Sequence, residues 1–515
     1  MATSGSIYIT PVSIDELDDV STAELSADQQ FLQKAMQILF TEGVIKAGDR
    51  RTKVVEYLDP HVLKETFDLE IKEKGVGTDK LLQLLKDTLK YSVRSANPRF
   101  FNQLYAGQDA YGLVGQWMTD TINASMSNYE ISPVFNLMEV EILKILSDIV
   151  GYEKSDGIFC PGGSIANMYG ISMARYHKYG EAIKTDGLSG LPRLILFTSK
   201  HAHYSISKGA AFMGFGTKNV YTVEVDERGR MIPEDLEKQI ELAKQQGHVP
   251  LFVSATCGTT VYGAYDPVDA IADLCEKHDI WLHVDACWGA SALMSQKWRH
   301  LLHGVNRSNS VAWCPHKMMG VPFQCSAFLV RDHIALMHNV HCSGATYLFQ
   351  QDKFYDLSYD TGDKVIQSAR KVDAFKLWLM FKAKGYIGFE QEINIKFANS
   401  RHLAKTIEER EGFQLVVEPT CTNVCFWYIP PCLRNMNKDS NEFNTLLGKV
   451  APIVKERMLK GGTLMIGYQP LDDKPNFFRQ IFSNAKTTFQ DVEFIVDEID
   501  RLGDDITISD LGKNK

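Results

Sequence analysis

Residues 266–289 read DPVDAIADLCEKHDIWLHVDACWG, a helix signal followed directly by a strand signal. Asp266 and Pro267 are the expected N-cap and first helical residue ahead of VDAIADLCEKH. The apolar run IWLHVDA then reads as a strand and puts Asp285 at its carboxyl end. The same rhythm extends in both directions. GIFC (157–160), LILFTS (194–199), NVYTVEV (219–225), LFVSAT (251–256), SVAW (310–313) and SAFLV (326–330) read as strands, with helices between several of them. Such alternation predicts an α/β fold, a mostly parallel central sheet flanked by helices, with ligands at the carboxyl ends of the strands. Upstream, FLQKAMQILF (31–40) and KLLQLLKDTLKYSV (80–93) carry apolar residues at helical spacing. Downstream, helix-like stretches alternate with NVCFWYI (423–429) and FFRQIF (477–482), which predicts a small α+β domain. The expected organisation is a polar, mobile stretch over 1–27, a helical segment over 28–120, a large domain over 121–376 and a small one over 377–515.

At 515 residues the chain can bury a large core without disulfides or structural metal. Its net charge of −9 disfavours nucleic acid as a partner. The ten cysteines show no metal-ligand spacing, and most sit beside apolar residues, as reduced thiols of a cytoplasmic protein do. The first residues, MATSGSIYITPVSIDELDD, lack the features of a signal peptide, and no run reaches the eighteen apolar residues of a membrane helix. These readings predict no metal, no nucleic acid and no membrane partner.

Three stretches carry chemistry. In DGIFCPGGSIANMYGISMARYH (156–177) a strand runs into Gly162-Gly163-Ser164 and then a helix, a turn suited to a phosphate. It is neither a Walker loop nor a dinucleotide fingerprint, and by itself is more often only a tight connection. In DIWLHVDACWG (279–289), Asp285 leaves its strand where a carboxylate can pair with a protonated ring nitrogen, although capping a loop is the commoner use. In SVAWCPHKMMG (310–320), Lys317 lies among Pro315, His316, Met318 and Met319, where desolvation is expected to lower its pKa and make it nucleophilic. A phosphate turn, a ring-nitrogen carboxylate and a Schiff-base lysine are together what pyridoxal phosphate requires.

With these stretches in place, the chain resembles the group II pyridoxal-dependent decarboxylases of fold type I, and within them the branch acting on glutamate, cysteine sulfinate and aspartate. The likeness runs from about residue 30 to 505 through PRFFNQL, GIFCPGGSIANMY, HYSISKGAAF, GTTVYGAYDP, LHVDACWG, PHKMMG, YLFQQDKFYDLSYDTGDK, NVCFWYIPP, MIGYQP and NFFR. The resemblance implies that Lys317 holds the cofactor and Asp285 keeps its ring nitrogen protonated. It implies that His203 stacks on the ring, and that Gly163, Ser164, Thr260 and His316 surround the phosphate. Tyr347 matches a tyrosine on a mobile loop that protonates the carbanionic carbon in the partner subunit's site, which implies a homodimer, with 28–120 as its dimerisation segment. Arg479 matches the cation that grips the substrate's α-carboxylate, and Gln103 a polar residue near the same group.

Three positions depart from the family pattern. Cys314 stands where asparagine usually helps hold the phosphate, and Cys287 where alanine is usual. In NASMSNYEISP (123–133), Ser125 matches the cysteine sulfinate and aspartate enzymes rather than the glutamate enzyme, and Ser127 replaces an aromatic residue. The expected substrate is therefore a small acidic amino acid, aspartate (giving β-alanine) or cysteine sulfinate (giving hypotaurine). The alternatives are glutamate decarboxylation to GABA, an aromatic decarboxylase, an aminotransferase, and a non-catalytic homologue that binds partners.

Overall fold

The computed structural model describes residues 25–333 and 335–512, and the polar stretch up to residue 24 lies outside them. Ser26 opens the first helix, Ala27–Ile38, with a capping box: its hydroxyl accepts from the Gln29 N–H, and the Gln29 side chain accepts from the Ser26 N–H. The described chain divides into two compact units. One combines the residues up to Lys46 with Leu58–Ser92 and holds the helices Ala27–Ile38, Pro60–Thr66 and Thr78–Tyr91. The other combines Ala47–Tyr57 with the chain from Val93 onward and contains both sheets.

All seven strands expected in the central region join one sheet. Their order is Ser155–Phe159, Ala327–Arg331, Ser310–Trp313, Trp281–Asp285, Val249–Thr256, Leu194–Ser199 and Val220–Val223. The five strands from Ser310–Trp313 to Val220–Val223 pair in parallel, while Ala327–Arg331 runs antiparallel to both neighbours. Every residue of Trp281–Asp285 and all but the first of Val249–Thr256 are buried, as strands covered on both faces must be, and this explains their near-continuous apolar runs.

One local expectation changes. Pro267, not Asp266, occupies the N-cap position of helix Val268–His278. The Asp266 carboxylate turns inward and accepts the N–H groups of Met231 and Thr256, each at 2.7 Å. Buried backbone donors such as these need partners, because no water can reach them. Burial pushes the Asp266 carboxyl up to about 7.

A second sheet has the order Phe100–Phe101, Met465–Leu471, Lys474–Ile481, Asn423–Tyr428 and Phe413–Leu415. It contains both expected C-terminal strands, paired antiparallel with Cys425 opposite Arg479. Phe100–Phe101 arrives from far upstream to form a parallel edge against Met465–Leu471. The long helix Asp373–Glu409, bent at Gly385, runs through 376–377.

A buried ion pair fastens the approach to the glycine turn. Arg370 donates to both oxygens of Glu139, at 2.8 and 2.7 Å, and also to the Met126 and Phe159 carbonyls and the Thr361 hydroxyl. Glu139 in turn accepts the Phe159 N–H at 3.2 Å. Arg370→Met strands the Glu139 carboxylate in the interior, and such a loss costs about 3–5 kcal/mol. A clear fall in the urea unfolding midpoint is expected, and an unchanged midpoint would contradict this role.

Candidate active site

The carboxyl ends of the parallel strands meet at one edge of the large sheet, and the turns leaving them carry the side chains of interest. Trp281–Asp285 ends at Asp285, and Ser310–Trp313 runs into a turn closed by the Lys317 N–H donating to the Cys314 carbonyl at 2.9 Å. Leu194–Ser199 leads to His203, and Ser155–Phe159 leads to Gly162, Gly163 and Ser164 at the start of helix Gly163–Tyr179. No side chain caps that helix start.

The helix descends onto the sheet along a face pared of side chains. A methyl group on Gly163 would lie 2.4 Å from Cys287 Sγ and 3.2 Å from Cys314 Sγ, and one on Gly170 would lie 2.8 Å from His283 Nδ1. Only glycine permits approaches this close. On the same face Asn167 reaches the sheet. Its Nδ2 donates to Asp285 Oδ2 and to Ser205 Oγ, both at 2.8 Å. The Cys287 N–H donates to Asp285 Oδ1 at 3.2 Å. His283 Nε2 lies 3.0 Å from Asn167 Oδ1, and its Nδ1 lies 2.9 Å from Ser310 Oγ, which also accepts the Trp281 indole N–H at 2.9 Å. Burial lowers the His283 pKa to about 4, so the ring is neutral near pH 7. One set of directions then satisfies every group: the Ser310 hydroxyl donates to Nδ1, and Nε2–H donates to Asn167.

Burial opposes a charge on Asp285, but the Lys317 ammonium and the Asn167 hydrogen bond outweigh it and hold the carboxyl below its usual range. Lys317 is half-buried, and its ammonium has no hydrogen-bond or ion-pair partner among the described residues. The expected fall in its pKa is not what the site produces. Burial is the largest influence and acts downward, yet Cys314, Cys287 and Asp285 together raise the amine above its ordinary value. The lysine's sequence neighbours are apolar, but its neighbours in space are acidic groups.

His203 is half-buried, accepts the Ser205 N–H on Nδ1 at 3.3 Å, and feels both Asp285 and Lys317, with burial lowering its pKa. His316 is buried with Nδ1 2.6 Å from the Cys325 carbonyl, and burial lowers it to about 4. Arg479, on Lys474–Ile481, donates to the Thr260 carbonyl at 3.1 Å and weakly to the Asn102 carbonyl at 3.4 Å. Its Nε is buried without a partner, and no carboxylate forms an ion pair with it among the described residues.

Asp285, Cys287, Cys314, Lys317, Gly163 and His203 therefore come together, and Thr260 joins Arg479. Gln103 is exposed beside Asn102. Ser125 and Ser127 lie on a separate loop: the Ser125 hydroxyl accepts weakly from the Arg370 N–H at 3.4 Å, and the Ser127 carbonyl accepts from Gly362 at 2.8 Å. Tyr347 is 78% exposed and enters none of the hydrogen bonds around Asp285.

Residues 60–429 match the family model described as the pyridoxal-dependent decarboxylase conserved domain. The chain belongs to the pyridoxal-dependent decarboxylase family. It is 54% identical to the acidic amino acid decarboxylase GADL1 of Xenopus tropicalis, over 93% of this chain and 94% of that one. It is 51% identical to the mouse cysteine sulfinic acid decarboxylase, over 93% and 97% of the two chains. The crystal structure of mouse CSAD superposes with a TM-score of 0.92 at 50% identity, covering 94% of this chain and 100% of that one. The architecture is that of the fold type I decarboxylases, and the cofactor is pyridoxal 5'-phosphate.

The residues present fit that group. Lys317 offers an unpartnered amine for the aldehyde, Asp285 a buried anion for the ring nitrogen, and the uncapped helix start at Gly163 and Ser164 free N–H groups for the phosphate. Sequence reasoning missed Asn167, Ser205, His283 and Ser310. One signal was available: His283 and Asp285 are two apart on a strand, so their side chains share a face. Asn167→Leu leaves both Asp285 and His283 short of a partner, at a cost of about 1–3 kcal/mol. A lower unfolding midpoint and loss of cofactor absorbance on gel filtration are expected; retention equal to wild type would remove Asn167 from the support of Asp285.

Proposed function

We propose that this chain is a cytoplasmic homodimer that decarboxylates small acidic amino acids, cysteine sulfinate and aspartate ahead of glutamate. The observation that carries it is Arg479, a half-buried guanidinium that has a buried, unpaired Nε and, among the described residues, no carboxylate partner. A half-buried cation left this way calls for an anionic ligand, and the guanidinium fork suits a carboxylate. The acidic side-chain class rests on relatives that are half identical over nearly the whole chain and are named for acidic substrates. Ser125, whose small side chain lies in the loop fastened by Arg370, favours the shorter acids.

Bound pyridoxal phosphate supplies an electron sink for the pair released when the Cα–carboxylate bond breaks. Lys317 anchors it in the large domain, 121–376. Asp285, kept ionised and fixed by Asn167, would hold a proton at the ring nitrogen. His203 would cover the ring, and Gly163, Ser164, Thr260 and His316 would hold the phosphate. Arg479, with Gln103 close by, orients the α-carboxylate. Tyr347 delivers the proton that replaces it on Cα.

Tyr347 and Phe354 are 78% and 99% exposed in one protomer, and Tyr111, Val114, Met118 and Ile122 form an exposed apolar stripe along helix Ala110–Ile122. A second copy would cover such surfaces, and it would bring Tyr347 to a site it does not reach in its own protomer. The ten free cysteines suit the reducing cytoplasm.

The purified enzyme incubated with cysteine sulfinate, aspartate, glutamate and dopa is expected to release CO₂ fastest from the first two. Arg479→Gln should weaken the apparent substrate affinity by about 2–5 kcal/mol. No CO₂ from any substrate, with cofactor bound, would overturn the proposal.

Tyr347→Phe should lower kcat by about 100- to 10,000-fold, the usual worth of a positioned proton donor. Mixing Tyr347→Phe with Lys317→Ala protomers should restore activity through one intact composite site. A mixture as inactive as its components would place Tyr347 in its own protomer's site.

A further inference from the structure

Asp285 and Ala312 are register partners on adjacent parallel strands, and two residues beyond each stands a cysteine, Cys287 and Cys314. The Ala286 N–H donates to the Ala312 carbonyl at 3.0 Å, so the two backbones are still paired just short of the thiols. Neighbouring strands lie about 4.8 Å apart, inside the Cα separation of about 4.4–6.8 Å that a disulfide spans. Both sulfurs press on one point, since a methyl group on Gly163 would meet Cys287 Sγ at 2.4 Å and Cys314 Sγ at 3.2 Å. The Ser326 hydroxyl donates to Cys314 Sγ at 3.1 Å.

The two thiols are not equivalent. Burial works against ionising Cys314, but the neighbouring Cys287 thiol, the Lys317 ammonium and the Ser326 hydroxyl outweigh it and hold that thiol below its ordinary value. The Cys314 sulfur, with burial, holds Cys287 well above it. Cys314 is placed to attack and Cys287 to resolve.

We propose that Cys287 and Cys314 form a redox-active dithiol, which a hydroperoxide closes into a disulfide beside Lys317, and that the disulfide form takes up cofactor poorly. The Cys314 thiolate attacks one oxygen of the hydroperoxide. The O–O bond breaks, an alcohol or water leaves with a proton from solvent, and Cys314 becomes a sulfenic acid. The Cys287 sulfur then attacks the Cys314 sulfur, forming the S–S bond and breaking the S–O bond, and the oxygen leaves as water with the Cys287 proton. Two thiols are oxidised by two electrons, and one hydroperoxide is reduced.

The consequence for the site follows from what each cysteine holds. Cys314 opens the turn that Lys317 closes, and the Cys287 N–H binds Asp285. A bond between their side chains shifts the supports of both the amine and the carboxylate. This second part rests on Lys317 and Asp285 as the holders of the cofactor, whereas the disulfide itself does not. Cys314 is fully buried and Cys287 is 6% exposed, so a small peroxide reaches the pair only past Cys287 and the half-buried Lys317, the side that bound cofactor would cover.

The test exposes wild-type enzyme, cofactor-loaded and cofactor-stripped, to hydrogen peroxide. Remaining thiols are then alkylated in denaturant, and the protein is digested without reductant for mass spectrometry. A linked peptide pair containing Cys287 and Cys314 is expected, forming faster in the stripped enzyme and vanishing with dithiothreitol. In parallel, stripped enzyme should lose uptake of pyridoxal phosphate, read by its visible absorbance, and regain it with dithiothreitol. Cys287→Ala and, separately, Cys314→Ser should show neither the link nor the reversible part of that loss. Recovery of both thiols alkylated, or their pairing with Cys160 or Cys325 instead, would overturn the dithiol. A complete link that leaves uptake unchanged would overturn its effect on the cofactor. The mass readout needs no turnover, so a chain that forms the link but releases no CO₂ counts against the decarboxylase reading alone.

Discussion

Asp285 is a carboxylate that is only 6% exposed at the end of a strand whose every residue is buried. Isolated in such a place it would take up a proton, because a lone ion in the interior is too costly to keep. It stays charged because a helix carrying Asn167 is brought within hydrogen-bonding distance and an ammonium stands beside it. Most of the site can be traced to that requirement. Gly163 and Gly170 are pared so the helix can approach. His283 and Ser310 carry the hydrogen-bond chain inward until it ends on the Trp281 indole, leaving none of its members unsatisfied.

Arg479 is the complementary case. Among the described residues no carboxylate neutralises it: two backbone carbonyls take its outer nitrogens and the inner one has no partner. Asp285 is an anion completed by the chain, and Arg479 is a cation left incomplete. A folded chain that tolerates such a group gives up some of its stability to keep it. Its two carbonyl contacts, Asn102 and Thr260, come from segments far apart in the chain, so the second sheet has to assemble before the guanidinium is aimed.

The regularity of the large sheet made its seven strands legible, since short apolar runs between helices have few other stable arrangements. The turn residues following those strands were legible for the same reason. What could not be read were contacts among segments with no sequence relationship. Asn167 looked like one more polar residue on a helix, and Asp266 looked like a cap until the buried N–H groups of Met231 and Thr256 claimed it. Phe100–Phe101 pairs with Met465–Leu471, across more than three hundred residues, and no local pattern announces that edge.

The sequence by itself determined the kind of fold and the cluster of Lys317, Asp285 and the glycine turn, because each follows a strand whose carboxyl end must face the same edge of a parallel sheet. It also carried enough likeness to place the chain in its family. The tertiary structure alone decided the charge state around Lys317. The apolar residues beside it in sequence predicted a lowered pKa, but folding replaces them with Asp285, Cys287 and Cys314, and a charge responds to its neighbours in space. The two cysteines that read as separate departures from a family pattern became a facing pair for the same reason. Strand register, which no single stretch encodes, set them side by side.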